Sequence, residues 1–404
     1  MSSDSGDEHA AQSRSDNERR RKKKKEKTRK PANTAFRQQR LKAWQPILTP
    51  KTVLPMFFIL GLIFAPLGGL MLYASAKVQE IVIDYTKCNQ TAPTGTQFSS
   101  IPGDKVSYTF KTDVNPDPVW RKVTKNTGLK KNETICEIQF TIPDLNPPIL
   151  FFYRLTNFYQ NHRRYVKSVD ERQLRGEAVS AADLKGSDAC SPLITDKDGK
   201  PYYPCGLIAN SLFNDTFSQP KLVGSTNEDD RYIMKNSGIA WPSDKERFKK
   251  TKYKPEDVVP PPHWVDMYPG GKYNKTNMPD LSEWEELMVW MRTAGLPTFS
   301  KLAMRNDTTK MARGTYQVDI IDRFPAHLYG GTKSIVISTR TVLGGRNPFL
   351  GIAYIVVAGI CMLLGTLFTA RHLIKPRKLG DHSYLSWNNE NTREAQLTGG
   401  GGGV

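Results

Sequence analysis

Two uncharged stretches decide the fold of this 404-residue chain: residues 52–76, TVLPMFFILGLIFAPLGGLMLYASA, and residues 347–370, NPFLGIAYIVVAGICMLLGTLFTA. They are 25 and 24 residues long, and neither contains Lys, Arg, Asp or Glu. A helix rises about 1.5 Å per residue, so about 20 apolar residues cross a hydrocarbon core of about 30 Å. The sequence therefore predicts a membrane protein with two transmembrane α-helices. Buried helices of a soluble protein are the alternative, but their uncharged runs are usually shorter.

Basic residues beside the two runs predict the topology. Cytosolic flanks of membrane helices carry an excess of Arg and Lys. Such residues precede the first run and follow the second, at Arg37, Arg40, Lys42, Lys51, Arg371, Lys375, Arg377 and Lys378. Both termini are therefore expected in the cytosol, and residues 77–346 are expected to form one domain on the other side of the membrane.

Residues 77–346 carry two signals of an extracytosolic compartment. N-linked glycosylation triplets lie there at Asn89, Asn132, Asn214, Asn274 and Asn306. Four of the five cysteines lie there too, an even number suited to disulfides in an oxidising compartment. Of the three possible pairings we expect the local one, Cys88 with Cys136 and Cys190 with Cys205, because near neighbours close more easily. Cys361 lies in the second run and is expected to stay unpaired.

The extracytosolic domain is predicted to contain an antiparallel sheet system. Segments rich in Ile, Val, Thr, Phe and Tyr are typical of strands, and they occur at residues 106–110, 133–142, 149–156, 315–321 and 333–340. Apolar residues at helical spacing between residues 284 and 291 indicate a helix, with Ser282 and Glu285 in a capping-box pattern. Residues 201–279 hold many Pro, Gly, Tyr and Trp residues without periodicity, which predicts a long ordered loop.

The two ends of the chain differ from the rest in composition. The formal charge is +18, of which residues 1–51 contribute +9 and residues 371–404 contribute +2. Residues 1–34 have few apolar side chains and are expected to be a disordered basic tail, and residues 371–404 a flexible tail. Within residues 35–51, Phe36 and Trp44 lie among basic residues at a spacing compatible with an amphipathic helix on the cytosolic membrane surface. Beside a membrane span, the basic tail favours anionic lipids or an acidic partner over nucleic acid, unless it only fixes the topology.

The sequence lacks the motifs of common catalytic and metal sites. HExxH, CxxC, GxSxG, GxxxxGK and GxGxxG are all absent. We therefore expect no enzymatic role, no metal and no cofactor apart from N-linked glycans. The two runs also lack the charged residues that pumps and transporters place in the membrane. They are expected to pack against a larger membrane protein, unless they are ordinary lipid-facing helices, and the second offers small residues for close approach at Gly351, Ala353, Ala358, Gly359 and Gly365.

Several segments carry a family resemblance. They are NFYQNHRRY at residues 157–165, PCGLIANSLFNDTF at residues 204–217, IAWPSD at residues 239–244, MRTAGLP at residues 291–297, FRQQRLKAWQP at residues 36–46 and NPF at residues 347–349. Together they resemble the cell-division-control protein 50 family, also called the ligand-effect-modulator family. The resemblance covers most of the chain, from about residue 34 through the second run. Members of this family are the β-subunits of type IV P-type ATPases.

The resemblance implies a noncatalytic accessory subunit of a phospholipid flippase, which forms a heterodimer with the ATPase among membrane lipids. It implies support for the folding of the ATPase, its exit from the endoplasmic reticulum and its conformational cycle, while the ATPase itself binds ATP and Mg²⁺. The implied localisation runs from the endoplasmic reticulum to the Golgi, endosome or plasma membrane, with a lumenal or extracellular ectodomain. The implied ectodomain is mainly β, antiparallel and sandwich-like, with long loops and a few helices, and the segment with Phe36 and Trp44 runs along the partner.

Two interpretations remain open for Tyr159, His162, Arg163 and Arg164. Aromatic residues and arginines suit a contact with a partner protein, but the same residues suit an internal network that holds loops to the sheet. For the whole chain, the alternatives to an accessory subunit are a free-standing two-pass receptor or adhesion glycoprotein and a lumenal enzyme.

Overall fold

A computed structural model of the chain describes residues 33–42, 48–112, 114–126, 132–224, 230–341 and 344–376. The described residues fall into two compact units, one within residues 60–361 and the other made of the described residues before residue 60 and after residue 361. The disordered tail predicted for residues 1–34 lies outside the described residues except for its last two positions. The flexible tail predicted for residues 371–404 lies outside them from residue 377 onwards.

The described residues form both helices and strands. The α-helices are α1 Pro50–Ala76, α2 Cys88–Thr91, α3 Arg163–Lys167, α4 Glu171–Leu174, α5 Ala181–Ser187, α6 Leu207–Asn210, α7 Pro242–Lys245, α8 Glu285–Met291 and α9 Phe349–Ile374. The strands are β1 Glu80–Asp84, β2 Ser99–Ser100, β3 Val106–Thr109, β4 Val119–Lys125, β5 Glu133–Ile142, β6 Ile149–Leu155, β7 Thr216–Phe217, β8 Lys221–Leu222, β9 Phe299–Asn306, β10 Gly314–Ile321 and β11 Lys333–Thr339. All five predicted strands are confirmed, whereas β1, β4, β9 and the two-residue strands β2, β7 and β8 were not predicted.

The strands form two antiparallel sheets. Sheet A has the strand order β3-β1-β11-β6-β9, and sheet B has the order β2-β4-β5-β10-β7, with β8 also paired with β10. At the centre of sheet A, Val336 of β11 lies opposite Val82 of β1 and Phe152 of β6. The chain reaches β1 within a few residues of the end of α1, and it leaves β11 shortly before α9 begins. Both long helices therefore connect to neighbouring interior strands of sheet A, α1 to β1 and α9 to β11.

One hydrophobic core joins the two sheets, which confirms the sandwich-like fold. Alternate residues of a strand face opposite sides, and the inward side chains of both sheets meet in this core. They include Ile81, Ile83, Phe151, Ile335 and Ile337 from sheet A and Ile138, Phe140, Val318 and Ile320 from sheet B. Each such side chain stabilises the fold by about 1.5–3 kcal/mol when it is fully buried.

A second hydrophobic cluster explains why the long loop is ordered. It extends from Tyr153 and Leu155 of β6 into residues 203–291, and its largest fully buried side chains are Tyr203, Trp264 and Trp290. The indole nitrogens are paired, because Trp264 Nε1 donates to Ala209 O (2.9 Å) and Trp290 Nε1 donates to Ile208 O (2.8 Å). Aromatic burial therefore fixes a segment that has little regular secondary structure, as the sequence predicted.

The structure confirms a helix at α8 but not the predicted capping box. Helix α8 begins at Glu285, and its N-cap residue Trp284 makes no side-chain capping hydrogen bond. Ser282 Oγ donates instead to Asp280 Oδ1 (2.6 Å). The Glu285 carboxylate accepts from backbone nitrogens of the segment at residues 239–244, so contacts with a distant loop replace local capping.

The segment before α1 forms a turn where an amphipathic helix was predicted. In residues 35–39, Gln38 N donates to Thr34 O (3.0 Å) and Arg40 N donates to Ala35 O (2.8 Å). A helix of so few residues is not stable without packing, because the first turn is costly to form. Phe36 lies in this turn with 76% of its surface exposed, and Trp44 lies outside the described residues.

Candidate functional site

Residues 157–165 follow β6 and are held by the segment at residues 291–297. Phe158 N donates to Pro297 O (3.1 Å), and Asn161 Nδ2 donates to Gly295 O (3.0 Å). Gln160 is fully buried, and its Oε1 accepts from Ala294 N (2.9 Å). The ring of Phe158 packs among aromatic residues of the second cluster, including Trp290 and Phe324. Two of the segments that carry the family resemblance are therefore in direct contact.

Residues 204–217 join the same assembly. The Tyr165 and Ser211 hydroxyls are 2.8 Å apart, and Gln160 Nε2 donates to Tyr165 OH (3.3 Å). Burial raises the pKa of Tyr165 to about 12, so its hydroxyl stays protonated at neutral pH. Gly206 has φ +96°, and a Cβ there would lie 2.1 Å from Ser168 O. A glycine is therefore required where this segment crosses residue 168.

Residues 239–244 are fixed to α8. Glu285 Oε2 accepts from Ile239 N (2.8 Å) and Ala240 N (3.0 Å). Burial opposes ionisation of Glu285, but the hydrogen bonds from Ala240 and Lys245 outweigh it and lower the pKa of the carboxyl. Arg292 NH1 lies 3.1 Å from Asp244 Oδ2. These bonds connect a third segment with residues 291–297.

We call six exposed side chains of residues 157–165 and of the segments that contact them the motif face: Tyr159, His162, Arg163, Arg164, Leu296 and Leu328. Tyr159, Leu296 and Leu328 are 56%, 69% and 70% exposed. The side chains of Tyr159, His162, Arg163 and Arg164 make no hydrogen bond or ion pair with the residues that the structure describes. The internal network is made by their neighbours Asn157, Phe158, Gln160, Asn161 and Tyr165. Exposed aromatic, apolar and arginine side chains together are typical of a protein-binding surface.

The motif face lies at one end of sheet A. Leu155, at the end of β6, lies opposite Lys333, where β11 begins, and Ile149 lies opposite Thr339, where β11 ends. The chain goes from Thr339 towards α9. The motif face is therefore at the end of sheet A opposite to the end from which the chain continues into α9.

The segments that build this assembly fall within a family-wide match. The model of the LEM3 (ligand-effect modulator 3) family / CDC50 family matches residues 71–378. The chain belongs to the CDC50 family. The resemblance found in the sequence is thereby confirmed, and the two long helices with the disulfide-bonded β domain are those of an integral membrane protein.

Similarity to individual CDC50 relatives extends over nearly the whole chain. The "Phospholipid-transporting ATPase accessory subunit CRF1" of Saccharomyces cerevisiae is 45% identical over 369 residues, 91% of each chain. The "Phospholipid-transporting ATPase accessory subunit CDC50" of Chaetomium thermophilum is 42% identical over 373 residues, 89% of this chain and 91% of the relative. The "Cell cycle control protein 50A" of Bos taurus is 40% identical over 363 residues, 84% and 88% of the two chains.

In this CDC50 protein, glycines bring the two long helices together where α1 nears its end and α9 begins. A Cβ on Gly68 of α1 would lie 2.9 Å from Gly351 O of α9, and a Cβ on Gly351 would lie 3.0 Å from Gly68 O. One turn away, the rings of Phe64 and Tyr354 are 5.0 Å apart. Gly359, by contrast, has nothing within 4 Å of where its Cβ would be. Of the small residues predicted to allow close approach, Gly351 is used within the chain, and Gly359 is open to a neighbour.

The four cysteines of residues 77–346 pair locally, as predicted. Cys88 is bonded to Cys136 (Cα–Cα 6.2 Å) and Cys190 to Cys205 (Cα–Cα 5.6 Å). The first bond joins α2 to β5 of sheet B, and the second holds residues 204–217. Cys361 is buried in α9 and unpaired.

The five glycosylation triplets differ in their surroundings. Asn132 and Asn274 are exposed, whereas Asn89, Asn214 and Asn306 are half-buried. Asn274 Oδ1 accepts from Thr276 Oγ1 (2.7 Å) in an exposed turn, and Asn306 Nδ2 donates to Ile233 O (2.8 Å). Glycosylation of these positions stays a prediction.

Two lysines are buried that the sequence did not predict to be so. Lys333 contacts Asp215 and Asp322, and Lys301 Nζ donates to Val289 O (2.8 Å), Trp290 O (3.0 Å) and Arg292 O (2.6 Å). Both residues lie in strands, where their spacing does not distinguish an inward from an outward lysine. Within the described ranges, no group of three or more His, Cys, Asp or Glu residues is arranged to hold a metal ion.

Proposed function

We propose that this chain is the noncatalytic β-subunit of a type IV P-type ATPase that moves phospholipid to the cytosolic leaflet. The observation that carries the proposal is the alignment of 91% of the chain with a relative named as a phospholipid-transporting ATPase accessory subunit. ATP and Mg²⁺ bind the partner, and this chain supports the folding of the ATPase, its exit from the endoplasmic reticulum and its conformational cycle.

The contacts seen within the chain support this role. Apolar helices that already pack on each other through Gly68 and Gly351 form a compact unit for docking beside other membrane helices. The motif face supplies exposed aromatic, apolar and arginine side chains for the partner's extracytosolic loops. A subunit that binds one conformation of the pump more tightly than another shifts the pump towards that conformation.

The proposed topology places both termini in the cytosol and residues 77–346 in the lumen or outside the cell. The disulfides and the glycosylation triplets support this orientation. The proposed route runs from the endoplasmic reticulum to the Golgi, endosome or plasma membrane. Protease treatment of sealed vesicles tests the topology, because a tag at either terminus should be cleaved only when the protease has access to the cytosolic side.

Purification from native membranes tests the function. The tagged full chain, extracted in mild detergent, should bring down a much larger P-type ATPase in a 1:1 ratio, identified by mass spectrometry. Phospholipid-stimulated ATP hydrolysis should be found in this complex and not in the isolated chain. A stable monomer that binds a ligand without an ATPase would favour a free-standing receptor and overturn the proposal.

A further inference from the structure

A cavity of about 680 Å³ opens in residues 60–361, beside residues 212–217. Its walls come from the start of β5, the middle of β9 and the start of α8. Its volume lies within the range of roughly 300–1,000 Å³ that is typical of sites for drug-sized ligands. One or two sugar units are ligands of that size. The cavity lies apart from the motif face, none of whose side chains lines it.

Two glycosylation triplets lie at this cavity. Asn132 and Asn214 both belong to its lining, whereas Asn89, Asn274 and Asn306 do not. The two polar atoms of the Asn214 amide differ in exposure. Its Oδ1 is buried and has no hydrogen-bond partner. Its Nδ2 is accessible and makes no hydrogen bond with the described residues. At Asn306, by comparison, Nδ2 donates to Ile233 O. The atom of Asn214 that would carry a glycan is therefore available beside the cavity.

The lining has the chemistry of a sugar-binding site. Half-buried aromatic rings are contributed by Phe217 and Trp284, which can cover the apolar C–H face of a pyranose ring. At the rim, Asn236 Nδ2 donates to Glu286 Oε1 (2.9 Å), and both side chains are exposed. Amides and carboxylates of this kind bind hydroxyl and acetamido groups. The cationic groups near the lining are already paired, Arg323 with Glu133 and Lys333 with Asp215 and Asp322, so the cavity fits a neutral ligand better than an anionic one.

We propose that the cavity is the seat of the chain's own glycan, and that it holds the one or two N-acetylglucosamine units nearest to Asn214. The transfer that attaches the glycan forms a bond between sugar C1 and Asn214 Nδ2 and breaks the bond between C1 and a phosphate oxygen of a lipid-linked oligosaccharide diphosphate. The amide loses one proton, and the lipid diphosphate leaves. The attached sugar then packs on Phe217 and Trp284 and becomes part of the folded domain. Asn274, which is exposed and does not line the cavity, carries an ordinary solvent-facing glycan.

Site-resolved deglycosylation of the native protein tests this. The purified full chain is treated with peptide-N-glycosidase for increasing times, and release at each site is measured by mass spectrometry of the peptides. Release at Asn214 should be at least about ten-fold slower than at Asn274, which corresponds to about 1.4 kcal/mol for withdrawing the sugar. After denaturation the two sites should be released at the same rate. Equal rates in the native protein, or no sugar on Asn214 in the mature chain, would overturn the proposal.

A variant at the rim of the cavity distinguishes binding of the sugar in the cavity from simple steric shielding of the Asn214 linkage. Glu286→Ala removes an exposed carboxylate without disturbing the buried clusters. It should speed release at Asn214 by about two- to ten-fold, the effect of losing one hydrogen bond, and leave release at Asn274 unchanged. An unchanged rate at Asn214 in Glu286→Ala would mean that the sugar does not contact the rim, contrary to the proposal.

Discussion

The ammonium of Lys333 lies 2.7 Å from Asp215 Oδ2, with both side chains almost completely inaccessible to solvent. Lys333 Nζ also donates to Asp322 Oδ1 (2.5 Å) and Phe324 O (2.8 Å). Asp215 Oδ2 accepts a second hydrogen bond, from Tyr85 OH (2.8 Å). Lys333 begins β11 of sheet A, whereas Asp322 follows β10 of sheet B. One buried cation therefore joins the two sheets to residues 204–217.

Replacing this cation should destabilise the domain strongly. Lys333→Met leaves two buried carboxylates without a counterion, a change that typically costs about 3–5 kcal/mol. Lys310→Met is the matched control, because Lys310 and Asp144 form a solvent-exposed ion pair, and such pairs contribute little to stability. Thermal unfolding of the purified full chain measures both variants. Similar melting temperatures for the two would contradict the structural role of Lys333.

The loss in Lys333→Met should also depend on pH. Burial already raises the pKa of Asp322 in the intact protein, and removal of Lys333 raises it further. A carboxyl whose pKa is higher in the folded state favours folding at low pH, and this contribution is lost as pH rises through the folded pKa. The deficit of Lys333→Met relative to the intact protein should therefore be smaller at pH 5 than at pH 7.5. A deficit that grows on acidification would contradict this assignment.

These contacts show what the sequence could and could not predict. Strand β5 has the predicted bounds because its residues are intrinsically suited to strands. Strand β9, FSKLAMRN, has little such preference, and its conformation depends on pairing with β6. Lys333 and Asp215 are 118 positions apart, so only the folded chain reveals their contact. In the same way, the resemblance located residues 157–165, but the structure was needed to show that Gln160 is buried and Arg163 exposed.

The two disulfides should contribute unequally to stability. The loop-entropy model assigns about 4 kcal/mol to the Cys88–Cys136 bond and about 3 kcal/mol to the Cys190–Cys205 bond, because the sequence separations are 48 and 15 residues. Replacing both cysteines of a pair with Ser should lower the melting temperature in that order. Cys361→Ser, at an unpaired cysteine, is the control. Loss of the Cys190–Cys205 bond should also reduce recovery of the ATPase, because this bond holds residues 204–217 in place. Normal recovery of the ATPase would show that the bond is not needed for assembly.

Helix packing provides a second matched pair of variants. A Cβ on Gly68 would meet Gly351 O at 2.9 Å and Ile355 Cγ1 at 2.8 Å, whereas a Cβ on Gly69 would have nothing within 4 Å. Gly68→Ala should therefore force the helices apart and lower stability by about 1–3 kcal/mol, the usual cost of overpacking. Gly69→Ala should have little effect. Thermal unfolding in detergent compares them, and equal effects would show that Gly68 is not a contact point.

The buried Lys301 should give the domain a pH dependence near neutrality. Its ammonium donates hydrogen bonds to three backbone carbonyls at the C-terminal end of α8. Burial lowers the pKa of Lys301 to about 7. Between this pKa and the unfolded value of about 10.4, the unfolded chain binds a proton that the folded chain does not, so stability gains from Lys301 as pH rises through this window. Lys301→Met should lower stability by about 1–3 kcal/mol at pH 6 because the carbonyls lose their donor, and its melting curve should lack the gain between pH 7 and 10. Lys275→Met, at an exposed position, should follow the unmodified protein at every pH.

Within residues 157–165, exposed residues are expected to serve partner binding and buried residues to serve folding. Arg163 and Arg164 are exposed and have no side-chain partner among the described residues, so Arg163→Ala with Arg164→Ala should leave the melting temperature unchanged. The same double variant should reduce recovery of the ATPase, because arginines and aromatics commonly carry much of the energy of protein interfaces. Gln160→Ala is the counterpart: it removes a buried side chain that binds Ala294 N and Tyr165 OH, and it should destabilise the domain by about 1–3 kcal/mol. If the arginine variant instead melts early and binds normally, these residues serve the fold, and the surface that recognises the partner must lie elsewhere on the chain.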